Sequence, residues 1–346
     1  MRTESNAALE ALIQADPDDI EHFLVYADWL QSQGDPRGEL IAMQCALEQP
    51  PSSTERRDEL TVTARARVRA FEEEIRARFG DLVGRQNIVV WRRGFVDHLQ
   101  IRLPAGSSRA TLEQDLALLS QHPSLRLVRR LSLGSPSTDY TWAIDLLAEG
   151  GWPATLQEIH LTGGTLDLAA LATAFPRLQR LRTFNQRTRF GAAFPNVRSL
   201  DLLDLEVEWS KPHGEPAWPT LRSLMIRPHL HRMPGWATAL LAMPEQLPAL
   251  EELTVWGILG DAFCDQLLTS GLLPKLKRLD LTNALTQIGF EILCSRAARF
   301  RHLDKILVSN ELARPLPLTR LPTSNVSAVT RERLVGLLGK RIDFAS

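Results

Sequence analysis

Cysteine is scarce: only Cys45, Cys264 and Cys294 occur in 346 residues, far apart and with no CxxC pair. An odd, scattered set builds neither a disulfide framework nor a thiolate zinc site, and it suits idle thiols in a reducing compartment. Net charge is missing as well. Lys and Arg number 40 against 41 Asp and Glu, a formal charge of -1, so attraction to nucleic acid or membrane must come from a local patch. No apolar run approaches the roughly 20 residues that span a bilayer. The opening MRTESNAALEALIQADPDD holds no apolar stretch of the signal-peptide kind. Together these absences predict a cytoplasmic chain with no membrane contact. Catalytic signatures are lacking too: no GxSxG, HExxH, GxxxxGKS/T or GxGxxG occurs, and Gly336-Leu337-Leu338-Gly339-Lys340 has the wrong spacing for a phosphate loop. The expectation is a non-enzyme with no cofactor, no metal and no small-molecule substrate.

What is present divides into four stretches. Residues 1–48 read as short helices: Leu9, Leu12 and Ile13 form one stripe, Asp16-Pro17-Asp18 breaks it, and Phe23, Leu24, Ala27 and Leu30 recur at helical spacing. Gly34 closes that helix and Asp35-Pro36 opens the next. Residues 49–87 give a Pro/Ser linker and a long, charged helix from Glu55 to Phe79. Residues 88–310 begin with a β-hairpin, Ile88–Trp91 and Phe95–Leu103 about Arg92-Arg93-Gly94, and continue as a repeat array. Residues 311–346 hold a Pro-rich segment (Pro315, Pro317, Pro322) and a helix near Ala328–Lys340, whose Leu334, Leu337 and Leu338 would close the last repeat.

The first stretch resembles a known bacterial module. Asp16-Pro17, Leu24-Val25-Tyr26-Ala27-Asp28-Trp29-Leu30, Gly34-Asp35-Pro36, Glu39-Leu40-Ile41 and Gln44 are similar to the repeat-companion domain, which often stands ahead of leucine-rich repeats. That resemblance covers about a tenth of the chain and implies architecture and company rather than chemistry, with a second protein partner conceivable at this domain. Tyr26 and Trp29 read as core residues with a polar tip reaching an acceptor.

From about residue 123 to 310 one phrase recurs: a proline or similar turn residue, then apolar, two variable, apolar, one variable, apolar. The copies begin Val128-Leu131-Leu133 and Leu156-Ile159-Leu161, then Leu178-Leu181-Thr183 and Val197-Leu200-Leu202. They continue Leu221-Leu224-Ile226, Leu250-Leu253-Val255, Leu276-Leu279-Leu281 and Leu303-Ile306-Val308. The phrase is similar to that of leucine-rich repeats, and the fold class expected is an α/β leucine-rich-repeat solenoid, a curved parallel sheet with an N-terminal all-helical domain. Mixed short and ribonuclease-inhibitor-like copies are expected, with helices at Asp261–Ser270 and Gln287–Ala298. The turn Asn of such repeats is replaced by Pro136, Gly164, Gln186, Leu205, His229, Ile258, Ala284 and Glu311, which predicts irregular repeats.

Alternate strand residues face outward, away from the stacked leucines. Eight strands about 4.8 Å apart make a concave strip roughly 35–40 Å long, large enough for a protein partner and too open for a small molecule. Its outward positions include Arg180, Arg182, Phe184, Asp201, Leu203, Met225, Arg227, Glu252, Trp256, Arg278 and Asp280. Aromatic, Met and Arg side chains are the types enriched in interface cores, so these residues are the candidate site of a protein-binding scaffold, adaptor or sensor. The alternative is a nucleic-acid-binding subunit using the Arg-rich strip 177–198, with Arg177, Arg180, Arg182, Arg187, Arg189 and Arg198 and no acid among them. Flanking Glu158, Asp167, Asp201, Glu206 and Glu208 weigh against it. His213, His229 and His231 are read as loop histidines rather than a metal site.

Overall fold

The computed structural model describes residues 5–49, 53–80, 82–83, 89–102, 108–134, 141–149, 151–153, 155–190, 193–203, 206–209, 218–227, 242–256, 261–282, 284–310 and 325–345. His213, His229 and His231, the Pro-rich segment 311–322, and the turn positions Pro136, Leu205, His229, Ile258 and Glu311 lie outside these residues. The architecture is mixed α/β, a helical N-terminal region followed by a twelve-stranded, mostly parallel open sheet. Two compact units divide the chain, one of Met1–Thr162 with Thr173–Arg177, the other of Gly163–Ala172 with Leu178–Ser346.

In the first unit, helices α1 (Ala7–Ala15), α2 (Ile20–Ser32) and α3 (Arg37–Glu48) precede the long α4 (Thr54–Phe79). Local chemistry sets their starts: the side-chain Oδ1 atoms of Asn6 and Asp19 accept from the Leu9 and Glu21 amides, and Ser53 Oγ from the Arg56 amide. Between α2 and α3 the chain reverses at Gly34, whose φ of 69° suits glycine. The next glycine, Gly38, lets α3 lie directly on α2; a Cβ there would stand 2.5 Å from the Ala27 carbonyl oxygen. Ile13, Phe23, Tyr26, Leu30, Ile41 and Cys45 form the helical core, completed by Phe95 from the sheet. Tyr26 stacks on Trp29 and Phe95 and donates to Glu10 Oε1 at 2.7 Å, the polar tip expected of it.

Strands β1 (Val89–Arg92) and β2 (Phe95–Arg102) form the antiparallel hairpin that the sequence implies, turning at Arg93 and Gly94, both with positive φ. Strand β2 then pairs in parallel with β3 (Arg130–Gly134), and β3 with the start of β4 (Glu158–Asp167). Leu99, Leu131 and Ile159 share one register level and Ile101, Leu133 and Leu161 the next, all of them buried. Helices α5 (Arg109–Ser120) and α6 (Thr141–Glu149) complete this unit.

In the second unit, α7 (Ala169–Ala174) overlaps the division, and β5 (Arg180–Phe190) pairs with β6 (Ser199–Leu202). The parallel path continues through β8 (Ser223–Ile226), β9 (Glu252–Val255), β10 (Arg278–Leu281) and β11 (Lys305–Ser309). The first apolar strand positions align as Leu181, Leu200, Leu224, Leu253, Leu279 and Ile306, each at most 1% exposed. At about 25 cal/mol per Å² of apolar surface removed from water, this stacking is the dominant favourable contribution to the unit. Helices α8 (Asp261–Thr269), α9 (Gln287–Ser295) and α10 (Ala328–Leu338) match the helical stretches expected from the sequence.

Two strands escaped the sequence pattern. β7 (Glu206–Trp209) pairs with the far half of β5, and β12 (Ile342–Ala345) adds a final parallel strand beside β11. Within the parallel path the strand register itself is regular. The described parallel pairs run without a register shift, and the residue before each strand carries an unbroken backbone ladder: Arg198 N to Gln179 O, Arg222 N to Arg198 O, Glu251 N to Arg222 O, Lys277 N to Glu251 O, Asp304 N to Lys277 O, all 2.7–2.9 Å. Backbone groups satisfy one another there, so these strand edges stay regular without asparagine side chains.

Candidate functional site

The outward positions of the second unit converge where strands β5, β6, β8 and β9 lie side by side. Register sets Arg182 opposite Asp201, Asp201 opposite Met225 and Met225 opposite Thr254. One residue past the strand ends, the Leu203, Arg227 and Trp256 amides donate to Thr183 O, Leu202 O and Ile226 O at 2.8–2.9 Å, so these three side chains continue the outward face. Period-two alternation places all of them opposite the leucines.

Asp201 is the centre of the cluster. Arg182 Nε stands 2.7 Å from its Oδ2 and Arg227 Nε 4.0 Å from its Oδ1. Neither carboxylate oxygen has an aligned hydrogen bond, so both contacts are charge pairs set off the hydrogen-bonding line. Burial pushes the carboxyl above the usual carboxylate range, although both arginines pull it down. Asp201, which the sequence offers as a partner contact, is only 5% exposed.

Arg227 is held on three sides. Its Nε donates to Met225 Sδ at 3.0 Å, its Cζ lies 4.6 Å from the Trp256 ring centroid, and its Nε edge faces Asp201. A guanidinium stacked on an indole is attracted by the ring's negative face. Trp256 keeps 44% of its surface in solvent, the most exposed aromatic among the described residues. Met225, Leu203 and Phe184 are half-buried, while Arg180, Glu252 and Arg278 are exposed. Asp280 is half-buried and accepts from the Thr282 amide at 3.0 Å. The structure thus brings Arg182, Asp201, Met225, Arg227 and Trp256 into one cluster; Arg278 and Asp280 lie one strand beyond β9.

No family model matches the chain. No curated protein matches it either. It is similar to a Bacteroides fragilis protein whose crystal structure comes from structural genomics, at 16% identity and a TM-score of 0.41, covering 72% of this chain and 65% of that one. The chain therefore spans less than two thirds of that protein's length, and a likeness at this level assigns neither fold nor function.

The Arg-rich strip is more committed than its composition suggests. Arg177 donates to the Gln14 carbonyl oxygen, Arg182 faces Asp201, and Arg189 Nη1 lies 3.6 Å from Asp167. The pairing of β5 with β7 also sets Arg187 opposite Glu206 and Arg189 opposite Glu208 in register. No group of His, Cys, Asp and Glu suited to a metal ion occurs among the described residues.

Charge clusters in the first unit were missed by sequence reasoning. Arg37 and Asp35 form a fully buried ion pair with Nη2 to Oδ2 at 2.6 Å, and Arg93 is tied to Glu48 at the same distance. Asp97 holds Arg129 and Arg130 at 2.6 and 2.5 Å. Burial opposes ionisation of Asp97, yet the two guanidiniums keep its carboxyl below the usual range. Only the Gly-Asp-Pro-Arg-Gly run hints at the first pair, because Asp before a helix is a familiar turn residue.

Proposed function

We propose that this chain is a leucine-rich-repeat array with an N-terminal repeat-companion module, and that it works as a non-catalytic scaffold capturing a protein on the outward face of its strands. The observation that carries the reading is the cluster at Trp256. A large aromatic stays 44% exposed on the sheet face, stacked against Arg227 and beside Met225. Isolated apolar residues are ordinary on protein surfaces, but Trp and Arg are among the side chains that dominate binding energy at interfaces, and Met is enriched there beside them. Parallel strands about 4.8 Å apart give the second unit's strip a width suited to one partner's share of a modest interface.

The nucleic-acid reading is the weaker one, because two of the six arginines it needs, Arg177 and Arg189, already face the Gln14 carbonyl oxygen and Asp167. Phosphate-driven binding would weaken steeply between low and moderate salt. The deciding experiment is capture of partners by the purified chain and by Trp256→Ala/Arg182→Glu, with circular dichroism verifying the fold. The reading expects the double variant to lose the captured protein. Equal capture by both chains, or salt-sensitive recovery of an oligonucleotide instead, refutes it.

A further inference from the structure

Resting on that reading, we infer that the Arg182–Asp201–Arg227–Trp256 cluster receives an acidic peptide segment of the partner. A carboxylate of that segment sits on the two guanidiniums, and a neighbouring apolar or aromatic side chain lies against Trp256.

Charge comes first. Two guanidiniums share a single carboxylate, so the cluster carries excess positive charge, and the one acid is buried out of a partner's reach. Asp201 is the sole acid among the strand-outward positions of β5, β6 and β8, and the exposed Arg198 and Arg222 precede two of these strands. A cationic ligand would be repelled, and a carboxylate would be drawn in.

Geometry comes next. Each arginine turns its Nε edge toward Asp201. Their terminal Nη groups make no hydrogen bond among the described residues, leaving two planar forks that match a carboxylate's two oxygens. Asp201 acts as a positioning residue. It anchors two flexible side chains before the partner arrives, which lowers the ordering cost of binding. The ring of Trp256, with Arg227 already over it, supplies the adjoining apolar surface.

Extent decides between a peptide and a polyanion. The basic region covers three strands, about 10 Å across. On the next strand Glu252 is exposed, and Glu251 immediately before it is paired with Lys277. A nucleic-acid strand occupying about 4–16 nucleotides would run onto these acids. One or two carboxylates on a peptide fit inside the limit.

The test is selection of a displayed random peptide library on the intact chain. Fluorescence anisotropy of an enriched peptide and of a short oligothymidylate follows. Enriched peptides are expected to join Asp or Glu to Trp, Phe or Leu. Arg227→Gln, folded by circular dichroism, is expected to weaken such a peptide about tenfold or more, the loss of one charge-assisted contact. Asp201→Asn separates positioning from plain charge, since lost anchoring weakens the peptide whereas removal of a repelling charge alone tightens it. Tighter binding by Asp201→Asn, acidic peptides indifferent to Arg227→Gln, or oligothymidylate binding more tightly through the same residues would overturn the proposal. Enrichment of neutral apolar peptides that need Trp256 overturns the acidic specificity alone and leaves the docking face standing. If no peptide depends on any residue of the strip, both fail.

Discussion

Replacing Arg37 by alanine strands a carboxylate inside the helical module, and the cost can be worked from the contacts. Arg37 and Asp35 are 0% and 2% exposed, joined through Nη2–Oδ2 at 2.6 Å and through Nε to both oxygens at 3.0 and 3.1 Å. Removing one member of a buried pair costs about 3–5 kcal/mol, because the other charge stays in a medium that cannot solvate it. Asp35 Oδ1 would still accept from the backbone amide of residue 37, now at 2.9 Å, which favours the lower half of that range. The guanidinium also stands 5.8 Å from the Phe95 ring, a contact worth about 0.5–1 kcal/mol. The sum is about 4 kcal/mol. Asp35→Leu with Arg37→Met removes both charges and loses chiefly the turn hydrogen bond, about 1 kcal/mol. The double variant should therefore be milder than Arg37→Ala by about 2–3 kcal/mol. Two units can melt separately, so the assay is urea denaturation with hydrogen exchange read over residues 20–48. A double variant as damaged as the single one, or a single variant within about 1 kcal/mol of the parent, refutes the reasoning.

Other consequences follow from buried groups. Burial, followed by the nearby Arg78 and Arg37 charges, pushes the His122 imidazole down to about 4, and its Nδ1 accepts from the Ser124 amide. The unfolded chain then binds the proton first. This site costs nothing above pH 6.5, and the first unit loses up to about 3 kcal/mol as the pH falls from there toward 4. His122→Asn should flatten that part of the pH–stability curve, and an unchanged slope rejects the assignment. Trp218, fully buried, stacks on Phe194 at 5.0 Å and meets Phe190 edge-on at 5.1 Å. Trp218→Ala should cost the second unit about 3–5 kcal/mol in urea denaturation, and a loss below about 1 kcal/mol would mean that the site collapses without a cavity.

The repeat phrase located strands β3 to β11 apart from β7, because stacked leucines leave a period that survives variation in the intervening loops. Strand β12 left no such trace. Ile342-Asp343-Phe344-Ala345 lacks the leading leucine and the turn proline, and its pairing is dictated by the open edge of β11. β7 was hidden for a related reason: Glu206-Val207-Glu208-Trp209 alternates correctly but follows β6 too closely to resemble a new repeat. The outward register of the strip was readable, since a one-residue slip would have buried Arg182 and exposed Leu181. What could not be read was the lateral balance of charge. Arg182 and Asp201 are 19 positions apart in sequence, and nothing local tells that the carboxylate lies beneath its neighbours rather than among them.

That lateral dimension explains why the cluster belongs to the array and not to any one repeat. Arg182, Asp201, Arg227 and Trp256 come from four successive strands, and each is placed by its own phrase and ladder bond. Lengthening a connecting loop leaves the register intact, because the leucines re-form the stack at little extra closure entropy. A single insertion within β6 would slip Asp201 toward the core and point Leu200 or Leu202 outward, parting the two arginines from their anchor. Specificity here is thus a property of register, tunable strand by strand at outward positions while the apolar ladder beneath stays unchanged.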